Sequence, residues 1–430
     1  MHMTLLRPAS GRFAIVGAAL VLTLAVLVPV ALGHGSAAGP AVTNYVSYTG
    51  GKAGKANPKL APITIGWVNT QGGQVLVGPG ATTGAELAVR YVNDYLGGVA
   101  GGHPLKLKKC FTRSAEEEGT KCGQLFANDK NISVVLLGAL AVGNQSFYAA
   151  LGGKKPLING VALFPVDAKQ KNEFALFGTS DSVLGPWGTI GAGHLKAKTA
   201  AVVYPQIPGI DHGAKVEKAA LEAAGVKTTL VGYDANTTDL TGPLTAAGAQ
   251  SADMIVPQSN AAGCVNLAKA LDQLGKSDTP VVSNPLCLDP AVPKGLGGDY
   301  PKWIFGIASS LGLDKSDPAV PPFVKALSKY GQAKQAADAW VVVAFSEVLT
   351  TAKFLNQIGT ASKITPAAIL AKAKAFKGPL ALGAPSLQCG KYPTEPAACN
   401  DQTHFFQYEG KGVFKRITGW LKPPPTFKLE

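Results

Sequence analysis

The residues able to act as acids, bases or metal ligands are few and scattered. Six histidines, His2, His34, His103, His194, His212 and His404, show no metal-ligand spacing. Asp181, Asp211 and Asp234 stand isolated in loops, where capping or solvation explains them more simply than acid–base work. Gly78-Pro79-Gly80-Ala81-Thr82-Thr83-Gly84 superficially looks like a dinucleotide fingerprint. Its spacing is wrong by one residue, however, and a long loop separates it from the strand before it. A glycine-rich entry to a packed helix accounts for it better. G-x-S-x-G, phosphate-binding loop and H-E-x-x-H patterns do not occur in the sequence. Nothing argues for an enzyme, and neither a metal nor another cofactor is expected.

The elements that would position any site alternate strand and helix. Ile63 to Trp67 reads as a strand, and Gly84 to Tyr95 as a helix with Leu87, Ala88, Tyr91, Val92 and Tyr95 on one buried face. Gly97-Gly98 supplies the left-handed backbone that a helix end favours. Strands at Leu105 to Cys110, Ile132 to Leu137 and Pro156 to Asn159 follow, with a helix ending near Asp129. A second series opens at Thr199 to Tyr204, with a helix from Gly213 to Ala224 and strands at Lys227 to Val231 and Met254 to Pro257. It continues with a helix from Cys264 to Leu274 and strands at Pro280 to Ser283 and Trp303 to Ile307. The pattern predicts an α/β fold of two Rossmann-like lobes, each a parallel sheet flanked by helices. Helices at Pro321 to Tyr330, Ala336 to Leu355 and from Thr365-Pro366, then a hairpin around Gly410, complete the chain before Pro423-Pro424-Pro425.

Residues 1–38 read as a signal peptide. Arg7 and Arg12 precede an apolar run from Phe13 to Leu32, and Ser36-Ala37-Ala38 offers a small-residue cleavage site before Gly39. The alternative is a retained anchor, because the run approaches spanning length. Since no cysteine precedes Cys110, lipid attachment at a processed amino-terminal cysteine is not expected. Residues 39–60, rich in Gly, Ala, Pro and Lys, read as a flexible linker.

Net charge is +13, or +11 once Arg7 and Arg12 leave with the signal. The lysines are scattered without interleaved aromatics, so they read as a solvated surface and no nucleic acid partner is expected. Six cysteines in an exported chain favour disulfides. Locality pairs Cys110 with Cys122, Cys264 with Cys287, and Cys389 with Cys399; other connectivities and free buried thiols stay open.

The chain resembles the type I solute-binding proteins of ABC transporters, in the branched-chain amino acid and amide group. The resemblance rests on Ile63 to Gly66, Gly84 to Gly98, Val134 to Gly138, Lys155 to Ile158, Phe177 to Asp181, Gly232 to Leu244 and Leu271 to Gly275. It implies two lobes, residues 61–183 plus 289–380 and residues 184–288 plus 384–430. The crossings would fall near Asp181 to Gly185, Asn284 to Asp289 and Gly378 to Gly383. A monomer outside the cytoplasm would deliver a small solute to permease and ATPase subunits; an exported sensor domain is the rival. The resemblance places the cleft on loops after strands, at Asn69, Gln71, Ala141, Asn144, Gln145, Asn159, Val161, Tyr204, Gln206 and Asn260. Asn, Gln and Tyr suit a polar, weakly ionic ligand, since each donates and accepts without a fixed charge. The hydroxyl and acidic residues that hold an α-amino acid in this family fall here at Val142 to Asn144, Val161 to Leu163 and Ala261 to Gly263, none of which is Ser, Thr, Asp or Glu. An organic solute with a hydrophobic portion and an amide, hydroxyl or carboxyl handle is therefore expected, with a branched-chain amino acid as the alternative.

Overall fold

The computed structural model describes residues 41–72, 78–207 and 210–429. The expected signal peptide lies outside them. In the first sheet, β1 (Ile63–Thr70), β2 (Leu105–Thr112), β3 (Ile132–Leu137), β4 (Leu157–Asn159) and β5 (Glu173–Ala175) run parallel in the order β2-β1-β3-β4-β5. In the second, β6 (Thr199–Pro205), β7 (Lys227–Tyr233) and β8 (Met254–Pro257) run parallel in the order β7-β6-β8. A single bridge from Ile255 to Val281 leads on to β9 (Val282–Ser283), β10 (Ile304–Ile307) and the antiparallel pair β11 (His404–Gly410) and β12 (Val413–Arg416). β3 and β8 are apolar on both faces because helices cover both sides of each sheet.

The glycines of the early sequence motif serve packing. The helix Pro79–Tyr95 lies against the long helix Ala339–Ile358, and a Cβ on Gly84 would sit 2.5 Å from the Val341 carbonyl oxygen. Gly119 and Gly123 do the same on the other face, bringing the helix Glu117–Asn128 against the backbone of Gly143 and Phe147 at the helix Asn144–Leu151. One apolar core gathers Trp67, Leu136, Ile158, Phe323, Phe345 and Leu349 around the first sheet. A second gathers Trp187, Val202, Leu221, Val256 and Phe405. The three local disulfides are formed as paired from the sequence, Cys110–Cys122, Cys264–Cys287 and Cys389–Cys399.

Three expectations need correction. Residues 45–49 of the supposed flexible linker form a helix capped by Asn44, with Tyr45 and Tyr48 buried. The hydroxyls of Tyr48 and Thr350 lie 2.8 Å apart, and Lys353 and Asn356 donate to the carbonyls of Tyr48 and Thr49 at 2.9 and 3.0 Å. The second crossing is not at Asn284 to Asp289, because β10 still pairs within the second sheet and the chain leaves it only after Ile307. The third is not at Gly378 to Gly383, because Leu380, Ala381 and Leu382 belong to the first core and the chain rejoins the second sheet at His404. The chain passes from the first sheet to the second beside Asp181, after β5. Hydrogen bonds tie the three together. The Ser182 hydroxyl donates to the Asn400 carbonyl at 2.7 Å, that of Thr403 donates to the Val183 carbonyl at 2.7 Å, and His404 Nε2 lies 2.7 Å from the Ser309 carbonyl.

Candidate functional site

In open parallel sheets, ligands meet the carboxyl ends of the strands, where loops lead into helix amino termini. At the end of β1, the Thr70 side chain organises this edge. Its Oγ1 lies 2.8 Å from that of Thr112 at the end of β2, and it accepts from Ala141 N at 2.8 Å and Val142 N at 3.2 Å in the loop after β3. Thr70 was not among the residues expected from the sequence. A hydroxyl at a strand end gave the only hint, and its partners lie across two neighbouring loops. Thr70→Val keeps the shape but strands two backbone donors. It is expected to lower stability by about 2 kcal/mol, read as a shifted urea midpoint at unchanged slope.

The ten residues expected to line the site divide into two groups. Asn69, Asn144 and Asn159 turn inward. Asn69 Nδ2 donates to the Gly78 carbonyl at 2.7 Å and to Thr82 Oγ1 at 3.0 Å, holding the entry to the helix Pro79–Tyr95. Asn144 Nδ2 donates to the Leu140 carbonyl at 3.0 Å and to Asp167 at 2.8 Å, while Asn159 donates to Glu173 at 2.7 Å. Gln71, Ala141 and Val161 are half-buried, and Gln145 is exposed at the first turn of a helix the sequence reading did not anticipate. On the second sheet, Tyr204 lies over Gly232, whose Cβ would come within 2.9 Å of the phenol. Gln206 is exposed beside it, and Asn260 is exposed as the cap of the helix Ala261–Gln273, accepting from Gly263 N at 3.0 Å.

Asp181 is not the isolated loop aspartate the sequence implied. His212, on the helix Ile210–Ala223 of the second core, places Nε2 2.7 Å from Asp181 Oδ2 in the first crossing. Glu395, brought alongside by the Cys389–Cys399 loop, has its carboxyl pushed up to about 8, chiefly by burial and further by Asp181; a hydrogen bond from Thr179 opposes the rise. Beneath the end of β4, burial pushes the Asp167 carboxyl up to about 6 and those of Glu173 and Glu347 well above their ordinary range. Asp167 accepts from the Asn144 amide and the Tyr148 phenol, and Glu173 from the Asn159 amide, so these buried acids form a polar support beneath the strand end. Among the described residues, no group of three His, Cys, Asp or Glu is placed to hold a metal ion.

Two surface concavities lie elsewhere. One is lined by Lys108, Lys121, Gln124 and Asn128 beside Cys110. The other, about 160 Å³, is lined by Gln388, Lys391, Tyr392 and Asp401 behind the third crossing. Neither is lined by the ten candidate residues, so the strand-end edge remains the candidate site on topology and not on cavity shape.

Two separately cored α/β units, each a sheet flanked by helices and joined by three crossings, define a bilobed α/β protein. The periplasmic binding protein family matches residues 62–391, and the chain belongs to it. No curated protein matches the sequence. The chain is similar in structure to an ABC transporter substrate-binding protein from Sphaerobacter thermophilus, with 16% identity, a TM-score of 0.67, and coverage of 85% of this chain and 99% of the other. It is also similar to a solute binding protein from R. palustris in complex with 4-hydroxybenzoate, with 16% identity, a TM-score of 0.64, and coverage of 85% and 98%. A leucine binding protein from Thermotoga maritima shares 14% identity at a TM-score of 0.63, with coverage of 84% and 99%. At these identities the likeness establishes the fold.

Proposed function

We propose that this is an exported, non-catalytic binding protein that captures a small organic solute between its two sheets and hands it to an ABC-type importer in the membrane. The observation that carries this is the three hydrogen-bonded crossings, which join two separately cored α/β units. That architecture lets a ligand shift the balance between open and closed arrangements by contacting both units. The similar proteins are described as binding leucine or 4-hydroxybenzoate and as serving transporters, which supports the solute class and the permease partner. Gln71, Ala141, Gln145 and Val161 are the proposed contacts from the first unit, and Tyr204, Gln206 and Asn260 those from the second. Asn69, Asn144 and Asn159 are proposed to shape the site from behind.

A thermal-shift screen tests this, comparing leucine, isoleucine and valine with aromatic and aliphatic acids, amides and amines. The expected result is stabilisation by a narrow set of solutes, with a rise that grows as RT ln(1 + [L]/Kd) and is lost in Tyr204→Ala. Turnover of the stabilising solute would refute the non-catalytic assignment. Binding that survives intact in both Tyr204→Ala and Asn260→Ala would place the site elsewhere.

A further inference from the structure

Lysines that lie scattered in the sequence are gathered at one end of the first unit by its topology. In a parallel sheet every strand is entered from the same end. The segments entering β3, β4 and β5 carry the exposed Lys130, Lys154, Lys169 and Lys171. The segment before β1 is held at this end by Ala56 N, which donates to the Asn93 carbonyl at 2.6 Å, and by Asn57 N, which donates to that of Gly102 at 2.8 Å. It carries the exposed Lys52, Lys55 and Lys59. Asn356, in the last turn of the helix Ala339–Ile358, accepts from Ala100 N at 2.8 Å. Ser133 donates to the Ile364 carbonyl at 3.3 Å, which brings Lys363 to the same end.

Carboxylates do not balance this charge. Residues 41–62, 96–112, 151–157 and 356–365 contain no Asp or Glu. Of the acids nearby, Glu173 is buried, Asp94 is half-buried and accepts from the Tyr330 hydroxyl at 3.0 Å, and Asp129 is paired with Lys108 at 2.7 Å. The helices Pro79–Tyr95, Glu117–Asn128, Asn144–Leu151 and Ala339–Ile358 end here. Their carboxyl termini supply about half a negative charge each, too little to offset the lysines. The corresponding end of the second unit is mixed, with Lys198, Lys227 and Lys302 beside Asp253, Asp278 and Asp299. At the opposite end of the first unit, Glu116 precedes the helix Glu117–Asn128 and accepts from Gly143 N and Ser146 N at 3.0 and 2.8 Å.

The lysines border a recess. An open concavity of about 670 Å³ lies between β2 and the helix Glu117–Asn128, rimmed by Lys108, Lys121 and Lys130 and lined by Gln124, Asn128 and Asn131. Lys121 and Lys130 enter no ion pair among the described residues. Ammonium groups around amide donors suit phosphate oxygens. No aromatic side chain lines the concavity, so a nucleic acid base has nothing to stack on. We propose that this end of the first unit docks on an anionic lipid surface, with phosphate headgroups entering the concavity between Lys121 and Lys130 and the strand-end edge turned outward. Attraction of exposed lysines to such a surface acts within about one Debye length, about 8 Å at physiological salt, so the contact is reversible. It keeps the protein near the membrane with its candidate solute site facing away from the lipid, and it is separate from the solute-binding function.

The test uses the chain from Gly39 on, which contains every described residue and lacks the apolar run Phe13 to Leu32 that could itself enter a bilayer. Binding is read by co-sedimentation with vesicles of phosphatidylcholine alone and of phosphatidylcholine mixed with phosphatidylglycerol, at low and at physiological salt. The mixed vesicles alone should bind, and more weakly as salt rises. Lys121→Glu with Lys130→Glu should lower the affinity at least about tenfold. Lys227→Glu with Lys302→Glu, an equal change of charge on the second unit, should lower it about twofold at most. All four side chains are exposed, so both variants should keep the native urea midpoint. Acetylation read by mass spectrometry should find Lys121 and Lys130 protected on the vesicles and Lys227 and Lys302 unprotected. Equal losses in the two variants, binding to phosphatidylcholine alone, or no binding at low salt would overturn the proposal. So would a DNA duplex that holds the protein as tightly as the mixed vesicles through the same two lysines. None of these outcomes touches the solute-binding function.

Discussion

Gly84→Leu is expected to cost about 3 kcal/mol, the upper range for overpacking a well-filled interior. A Cβ at this position would lie 2.5 Å from Val341 O and 2.8 Å from its Cα. Both are backbone atoms, so no rotamer change relieves the clash, and the helix Ala339–Ile358 must move off the helix Pro79–Tyr95. That contact lies within the first core, with Leu87, Ala88 and Val92 on one helix and Val341, Phe345 and Val348 on the other. Gly193→Ala is the control, because nothing lies within 4 Å of its added Cβ. Urea unfolding should show a clear drop in midpoint for Gly84→Leu and little change for Gly193→Ala. A native midpoint for Gly84→Leu would mean that the two helices are not in contact as described.

Glu217→Met is expected to stabilise the protein by about 3 kcal/mol or more at neutral pH, because it removes both an unpaired polar group from the interior and the pH-linked cost of keeping that group un-ionised. Glu217 lies on the helix Ile210–Ala223, is 0% exposed, and both its carboxyl oxygens lack a partner among the described residues. Burial holds its carboxyl well above the ordinary 4.5. Below that ordinary value the acid is protonated in both the folded and the unfolded chain, and only the cost of burying the unpaired neutral carboxyl remains. As pH rises above it, only the unfolded chain ionises, so stability falls by about 1.4 kcal/mol per unit until the folded group also titrates. The gain from Glu217→Met should therefore be smaller near pH 4, about 1–3 kcal/mol, and grow towards pH 7. The buried His404, pushed down to about 4 by its burial, moves stability the other way as pH falls. The comparison must thus be made between variant and native protein at each pH. A gain that is constant across pH would show that the methionine acts by packing alone.

Much of this fold is legible where a segment's own composition decides its structure. β3 and β8 are apolar runs bounded by turn residues, and they fall where the sequence places them. Gly78 to Gly84 reads correctly as a packed helix entry, because Pro79 at the first turn and small residues behind it are local signals. The failures share a different cause. Tyr45 and Tyr48 are buried by a helix some three hundred positions away, so residues 39–60 look like a linker until that helix is in place. The helix Asn144–Leu151 begins at Gly143 in a left-handed conformation with no side-chain cap, and Gly119 and Gly123 of the neighbouring helix allow the close packing there. The second and third crossings were displaced because β11 pairs with β10 across about a hundred residues, a register no local pattern encodes.

The site was legible by loop and not by side chain. Strand-end loops follow from the alternation of strand and helix, but which way an asparagine turns depends on its neighbours. Asn69 is drawn inward by the Gly78 carbonyl and Thr82, and Asn159 by Glu173. The pairing of Asp181 with His212 spans the first crossing, and the filling of Gly143 N and Ser146 N by Glu116 joins loops after different strands. Both needed the folded topology.

Calorimetric titration with the best stabilising solute, followed by recovery of that solute and its identification by mass spectrometry, tests the central claim most directly. A binding protein of this fold should take up one solute per chain and release it chemically unchanged, with loss of uptake when Tyr204 is replaced by alanine. Recovery of an altered product, or uptake that is indifferent to the strand-end residues of both sheets, would contradict the account.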